Sequence, residues 1–244
     1  QLYISNPAWQ NNWIKINNDK LIYPHTYLAL TSNKKNTIES YPNSDSSLIL
    51  ESSLPVLDDD KGTLVLAYFN KTSFKLIDSF SYEKTWHNPL LTLTEGISLE
   101  KINPSFVSDK AQNWQSASKQ IDYGSPGLKN SQFIDSFLND KQKLYQILNS
   151  TVSPNQDGFQ DVLSIQFNLD LAGYKINAEI YNLSGFLVKT LSQDLIGTHD
   201  IINWYGEDNK NKPVFSGNYI LNLILIQPNG SKKHFRENIK VDNN

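Results

Sequence analysis

Ser153-Pro154-Asn155-Gln156-Asp157-Gly158-Phe159-Gln160-Asp161, running into Val162-Leu163-Ser164-Ile165-Gln166-Phe167-Asn168-Leu169, decides how this chain is read. Pro154 fixes one backbone dihedral, Asn155 and Asp157 carry side chains that can hydrogen-bond their own backbone, and Gly158 tolerates a positive φ. The residues that follow alternate apolar and polar with period two, so the stretch is a sharp turn into a strand. The same alternation recurs outward from it. On the N-terminal side it marks Thr63 to Tyr68, Lys75 to Phe80 and Ile97 to Ile102. On the C-terminal side it marks Ile176 to Tyr181, Phe186 to Leu191, Asp200 to Trp204, Tyr219 to Ile226 and Phe235 to Val241. Helical periodicity is weak nearly everywhere, so the expected fold class is all-β, two tandem β-sandwich domains rather than βαβ units.

At 244 residues the chain has room for two modest domains, each with its own core. A formal net charge of -3 argues against a general nucleic-acid or anionic-membrane binder. Arg236 is the sole arginine, so bidentate phosphate or guanine recognition is poorly supplied. The absence of cysteine excludes disulfides, thiolate metal sites and cysteine nucleophiles. No apolar run approaches the roughly 20 residues that span a bilayer; Ile220 to Ile226, interrupted by Asn222, fits a buried strand. The chain contains no methionine, and a start at Gln1 is what removal of a signal peptide leaves, as does a trimmed boundary.

Two regions read differently. Ser32 to Ser53 is polar, rich in Ser, Asn and Lys, and is expected to be a long surface loop with a short strand at Leu48 to Leu50. Between Ser131 and Asn149, Phe133, Phe137, Leu144 and Leu148 fit a helix face, while Tyr145-Gln146-Ile147-Leu148 fits a first strand equally well. The stretch is taken as a linker plus the lead-in to a strand, with the boundary near Phe133.

The C-terminal half resembles a bacterial immunoglobulin-like domain family related to the one in flagellar hook-capping proteins. The resemblance is carried, in order, by Ser153 to Asp161, Ile180-Tyr181-Asn182-Leu183-Ser184-Gly185, Val188-Lys189-Thr190-Leu191, Gly197, Trp204-Tyr205-Gly206 and Gly217-Asn218-Tyr219-Ile220. Gln156 stands where that family usually has glycine, and Tyr205 where it has Asp or Asn. The N-terminal half resembles a bacterial lamin-tail domain through Tyr23 to Thr31, Ser53-Leu54-Pro55, Lys61 to Leu66, Ile77-Asp78, Tyr82 to His87, Gly96 to Ile102, Asn113 to Ala117 and Gly124 to Ser131, with Lys101 where arginine is common. The resemblances imply a lamin-tail-like β-sandwich over 1–132, a linker and strand lead-in over 133–150, and an Ig-like β-sandwich over 151–244. Lamin-tail domains begin with strands ahead of the segment matched by Trp13-Ile14-Lys15-Ile16. With so short a stretch before Trp13, a shortened but self-sufficient sandwich or a trimmed boundary is the expectation; the alternative, if Gln1 is the mature terminus, is a sandwich that lacks a strand and exposes an edge open to another chain.

Candidate sites are sparse. Asn155, Asp157 and Asp161 offer oxygens at i, i+2 and i+6, a spacing compatible with a hard cation such as calcium; an Asx-type turn that satisfies backbone amides is the simpler use of the same atoms. Asp58-Asp59-Asp60-Lys61-Gly62 reads as a turn before a strand. His25, His87, His199 and His234 lie far apart in sequence, which argues against zinc. Ser98 and Glu100, two apart on a candidate strand, are expected to face the same side, without a histidine close in sequence to make a nucleophile–base pair. Trp9, Trp13 and Trp86 are candidates for a sugar-stacking platform, whereas Trp114 and Trp204 read as core. No phosphate-binding glycine loop is present.

The expected function is non-catalytic: an exported protein of the periplasm or cell surface that docks another envelope protein through its two sandwiches, without nucleic acid, cofactor or insertion into the membrane. The resemblances, found in envelope and secreted proteins of Bacteroidota, imply a finer expectation, a periplasmic accessory or plug of the outer-membrane type IX protein export machinery. The alternative is a carbohydrate- or surface-binding module, with calcium as its one candidate ion.

Overall fold

The computed structural model describes residues 1–6, 13–16, 22–135, 143–155 and 157–243. The chain is all-β, built of several sheets. It divides into two compact units: Gln1–Ala117 with Ile121–Phe133, and Ser118–Gln120 with Ile134–Asn244.

Unit 1 contains β1 (Leu2–Ser5), β2 (Ile14–Lys15), β3 (Ala29–Thr31), helix α1 (Lys34–Ser40), β4 (Ile49–Glu51), β5 (Lys61–Phe69), β6 (Phe74–Glu83), β7 (Leu99–Lys101) and β8 (Trp114–Ser116). Its largest sheet has the order β2-β1-β5-β6, and β3-β4 and β7-β8 form two-stranded sheets. The β5–β6 hairpin is the long element. Asn70 caps its turn by accepting from the backbone N–H groups of Thr72 and Ser73. Its ladder shifts register between Leu66 and Ala67, leaving Ile77 as the extra residue of a bulge.

Two expectations for this unit change. Within the Ser32 to Ser53 loop, Lys34–Ser40 is helical. Asn33 caps it, its Oδ1 accepting from Asn36 N at 3.0 Å, and Thr31 and Thr37 share a hydroxyl hydrogen bond of 2.8 Å. The short strand of this region is Ile49–Glu51, parallel to β3. Leu2–Ser5, ahead of Trp13, form β1, which lies between β2 and β5. Among the described residues the long open rim of this sheet is β6.

Unit 2 contains β9 (Tyr145–Ile147), β10 (Thr151–Val152), β11 (Leu163–Phe167), β12 (Lys175–Asn182), β13 (Leu187–Ser192), β14 (Ile201–Trp204), β15 (Gly217–Ile226) and β16 (Lys232–Val241). One sheet runs β10-β16-β15-β12-β13 and the other β14-β11-β9. Alternate residues of both sheets point to one shared core: Leu163, Ile165 and Phe167 from β11, Ile202 and Trp204 from β14, Ile176, Ala178 and Ile180 from β12, and Leu221, Leu223 and Leu225 from β15. This is a β-sandwich, and burying each large side chain contributes about 1.5–3 kcal/mol.

Tyr145–Ile147 is a strand, paired antiparallel with β11, so the strand reading holds there; Phe137, part of the helix-face reading, lies outside the described residues. The turn at Ser153 to Asp161 joins β10 in one sheet to β11 in the other. Its job is therefore to carry the chain across the sandwich.

Candidate functional site

The crossover turn is held by its own atoms. Asn155 Oδ1 accepts from Asp157 N at 3.1 Å, Asp157 Oδ1 from Phe159 N at 2.7 Å, and Asp161 Oδ2 from Gly158 N at 2.8 Å. Asn155 Nδ2 donates to Asp157 Oδ2 at 3.1 Å, and Ser153 N donates to Gln160 O at 2.7 Å across the neck. Gly158 has φ +85°. The three calcium candidates are thus neighbours, each with an oxygen turned to a backbone amide, an Asx arrangement. Among the described residues no group of three or more His, Asp or Glu side chains is gathered as a metal site would require.

Ser98 and Glu100, expected to share one side of a strand, lie in different settings. The strand begins at Leu99, Ser98 is exposed, and Glu100 is 3% exposed. Glu100 accepts from the hydroxyls of Ser125 and Ser131 (the latter at 2.7 Å) and from Gln132 N at 3.1 Å. Burial pushes its carboxyl above the ordinary range, and these hydrogen bonds pull in the opposite direction. The carboxylate ties β7 to the segment that closes unit 1.

A hydroxyl–imidazole pair does exist elsewhere, between residues that sequence spacing could not connect. His87 Nδ1 lies 2.9 Å from Ser116 Oγ, which also accepts from Asn88 N at 2.9 Å. Burial, with Lys84 adding to it, holds the imidazole below its ordinary pKa, so it is neutral near pH 7. Ser116 is 0% exposed. A nucleophile sealed from solvent meets no substrate, so the pair fastens β8 to the loop at His87. A second polar link lies nearby: Lys101 Nζ donates to Ser108 Oγ at 2.7 Å, and Ser108 Oγ donates to Asp78 Oδ2 at 2.6 Å. Trp114 Nε1 donates to Ser108 O at 2.8 Å.

The tryptophan candidates do not form one platform. Trp13 stacks on Phe74 with ring centroids 4.4 Å apart, and Tyr3 meets Phe74 edge-on at 5.2 Å. Trp86 packs at 6.2 Å against Trp114, whose ring stacks on Phe80 at 4.6 Å. These are two separate aromatic clusters, each already engaging its rings with other rings. Trp9 lies outside the described residues. Trp204 is fully buried, as expected, with Nε1 donating to Glu207 O at 2.8 Å.

What unit 1 does present is the rim of β6. Leu76 and Ile77 are 65% and 52% exposed, and Phe74 is 39% exposed. β6 pairs with β5 on one side, and no strand among the described residues pairs with its other side. A ten-residue edge carrying exposed apolar side chains is a template for another strand.

No family model and no curated protein matches the chain. Among solved structures, it is similar to dimeric latent PorU from Porphyromonas gingivalis, with 11% identity and a TM-score of 0.33, over 82% of this chain and 14% of that chain. It is also similar to CopC from Methylosinus trichosporium OB3b, with 12% identity and a TM-score of 0.27, over 41% of this chain and 94% of that one. The chain thus spans a small part of the length of PorU. No helix among the described residues is long and apolar enough to cross a membrane.

Proposed function

We propose that this chain is a non-catalytic, exported protein that works by docking a protein partner, with strand addition at β6 as the mode of contact. The observation that carries the reading is the open edge of β6, with Leu76 and Ile77 exposed. An added strand satisfies the free backbone groups of the rim, and its alternate side chains meet the apolar ones already there. The bulge at Ile77 divides the rim, so an added strand keeps one continuous register on only one side of that residue. The finer reading is a periplasmic accessory or plug of the type IX export machinery. It rests on the sequence resemblances of the two halves.

The test is a photo-reactive residue in place of Leu76, with a matched control in place of exposed Lys35 on α1, in the full chain in envelope preparations of the source cells. The reading expects a discrete cross-linked envelope protein from position 76 alone, lost when Ile77 is replaced by proline. Capture of a translocon component would establish the finer reading. No adduct from position 76, or glycan binding that Trp86→Ala abolishes, would overturn docking in favour of the carbohydrate-binding alternative.

A further inference from the structure

The solvent face of the larger sheet in unit 2 is patterned in a way the core does not demand. Along β16 the core side takes Phe235, Glu237, Ile239 and Val241, while the outer side carries Lys232, His234, Arg236, Asn238 and Lys240. Along its neighbour β15 the core side takes Tyr219, Leu221, Leu223 and Leu225, and the outer side carries Ile220, Asn222, Ile224 and Ile226. The register places Ile226 opposite Lys232, Ile224 opposite His234 and Asn222 opposite Arg236. On the other flank of β15, Lys175 stands opposite Ile226 and Tyr181 opposite Ile220. A cationic row therefore runs beside an apolar row on one surface.

Two cations of this row, Lys232 and Arg236, make no ion pair among the described residues. Lys233 on the core side pairs with Asp170, and Lys240 at the strand end pairs with Asp242. No ion pair or side-chain hydrogen bond among the described residues involves Lys232, Arg236 or Lys175. Glu179, on this face, accepts from Tyr181 Oη at 2.8 Å and Gln193 Nε2 at 2.9 Å and makes no ion pair with Lys232 or Arg236. Arg236, the sole arginine, also lines a notch of about 320 Å³ with Tyr181, Asn182, Leu183, Ile220 and Asn222.

We infer that this face binds an extended acidic segment of a protein partner, laid along β16 with carboxylates meeting Lys232 and Arg236 and apolar side chains meeting Ile220, Ile224 and Ile226. Lys232 and Arg236 stand four residues apart on β16, and alternate residues of an extended chain recur about every 6.6–6.8 Å, so acids four residues apart in an extended peptide fall in step with the two cations. A carboxylate entering the notch meets a planar guanidinium, which takes it bidentately, and the amide of Asn222. The isoleucine row selects a protein over a polyanionic sugar, because three half-buried aliphatic side chains on the outer face offer nothing to hydroxyls or sulfates. This surface is separate from β6 and stands or falls without it.

The experiment uses the full chain, isotopically labelled, and a capped synthetic peptide alternating glutamate with valine, beside its glutamine twin and a sulfated heparin fragment. The expected result is amide shift changes along Lys232 to Arg236 and Ile220 to Ile226. The affinity should fall steeply with salt, weaken roughly tenfold or more for the glutamine twin, and weaken similarly in the Lys232→Gln, Arg236→Gln double variant. Both positions are exposed, so the variant should keep the melting temperature of the parent. Leu76→Lys in β6 should leave the peptide affinity unchanged, so loss of docking at β6 and loss of this site read out separately. Equal affinity for the two peptides, undiminished binding by the double variant, shifts confined to other strands, or preference for heparin at this face would each overturn the assignment.

Discussion

Pro154 packs directly against Gly206. A β-carbon added to the glycine would sit 3.2 Å from Pro154 Cγ and 3.6 Å from Val152 Cγ1, and Gly206 holds φ +72°. The crossover turn and the Trp204-Tyr205-Gly206 step, far apart in sequence, are thus one piece of packing at the end of the sandwich. Gly206→Ala meets both a left-handed backbone and a tight contact, and should destabilise unit 2 by about 1–3 kcal/mol. Urea denaturation followed by protection of β14 amides checks it; a loss smaller than a few tenths of a kcal/mol would mean that the turn yields without cost.

The same turn gives a second prediction. Asp157 Oδ1 and Asp161 Oδ2 are turned to backbone amides at 2.7 and 2.8 Å, so the loop is already closed without an ion. Asp157→Ala should cost about 0.5–1.5 kcal/mol through the lost backbone hydrogen bond. Millimolar calcium should leave the melting temperature of the parent chain where it is in chelator. A calcium-dependent rise that Asp157→Ala removes would instead make Asn155, Asp157 and Asp161 ligands.

Much of the fold is written in period-two alternation, and the strands with the cleanest pattern are the ones legible from sequence: β12, β15 and β16 expose every second residue to a shared core. Helix α1 escapes that reading because Ile38 is its single apolar residue, so it has no face to detect; it stands on the Asn33 cap and the Thr31–Thr37 hydrogen bond. The polar links of unit 1 escape for another reason. Ser116 and His87 are 29 residues apart, and Ser131 and Glu100 31, distances at which no local spacing rule operates. The cationic row of β16 was visible as letters, yet its meaning needed the register that sets it beside Ile220, Ile224 and Ile226.

Glu100 should make the stability of unit 1 depend on pH in a defined direction. Its carboxyl in the folded chain is raised above the ordinary value of 4.5, so just above that pH the native state holds more protons than the unfolded one. The Glu100 contribution is therefore complete below about 4.5 and is lost as pH rises through the raised pKa. Glu100→Gln removes this titration and turns an amide NH2 toward hydroxyl and backbone donors, at a cost of about 1–3 kcal/mol. The deficit of the variant should be largest in acid and shrink toward neutrality. Paired thermal melts across that range test it; a deficit that grows with pH would mean that the hydrogen bonds from Ser125, Ser131 and Gln132 outweigh burial.

Ser116 and His87 offer the sharpest check on the non-catalytic reading. Their 2.9 Å contact has the look of a nucleophile and its base, but Ser116 Oγ also accepts from Asn88 N and is closed off from solvent. Ser116→Ala should therefore act as a structural lesion, lowering stability by about 1–3 kcal/mol as the Asn88 amide loses its acceptor. A fluorophosphonate probe should leave Ser116 of the folded chain unlabelled, because attack requires the hydroxyl to reach a phosphorus centre in solvent. The melting curve and intact mass of parent and variant decide the matter together. A probe adduct on Ser116 that His87→Ala abolishes would show that the pair opens to substrate, and would replace docking with acyl transfer as the chemistry of unit 1.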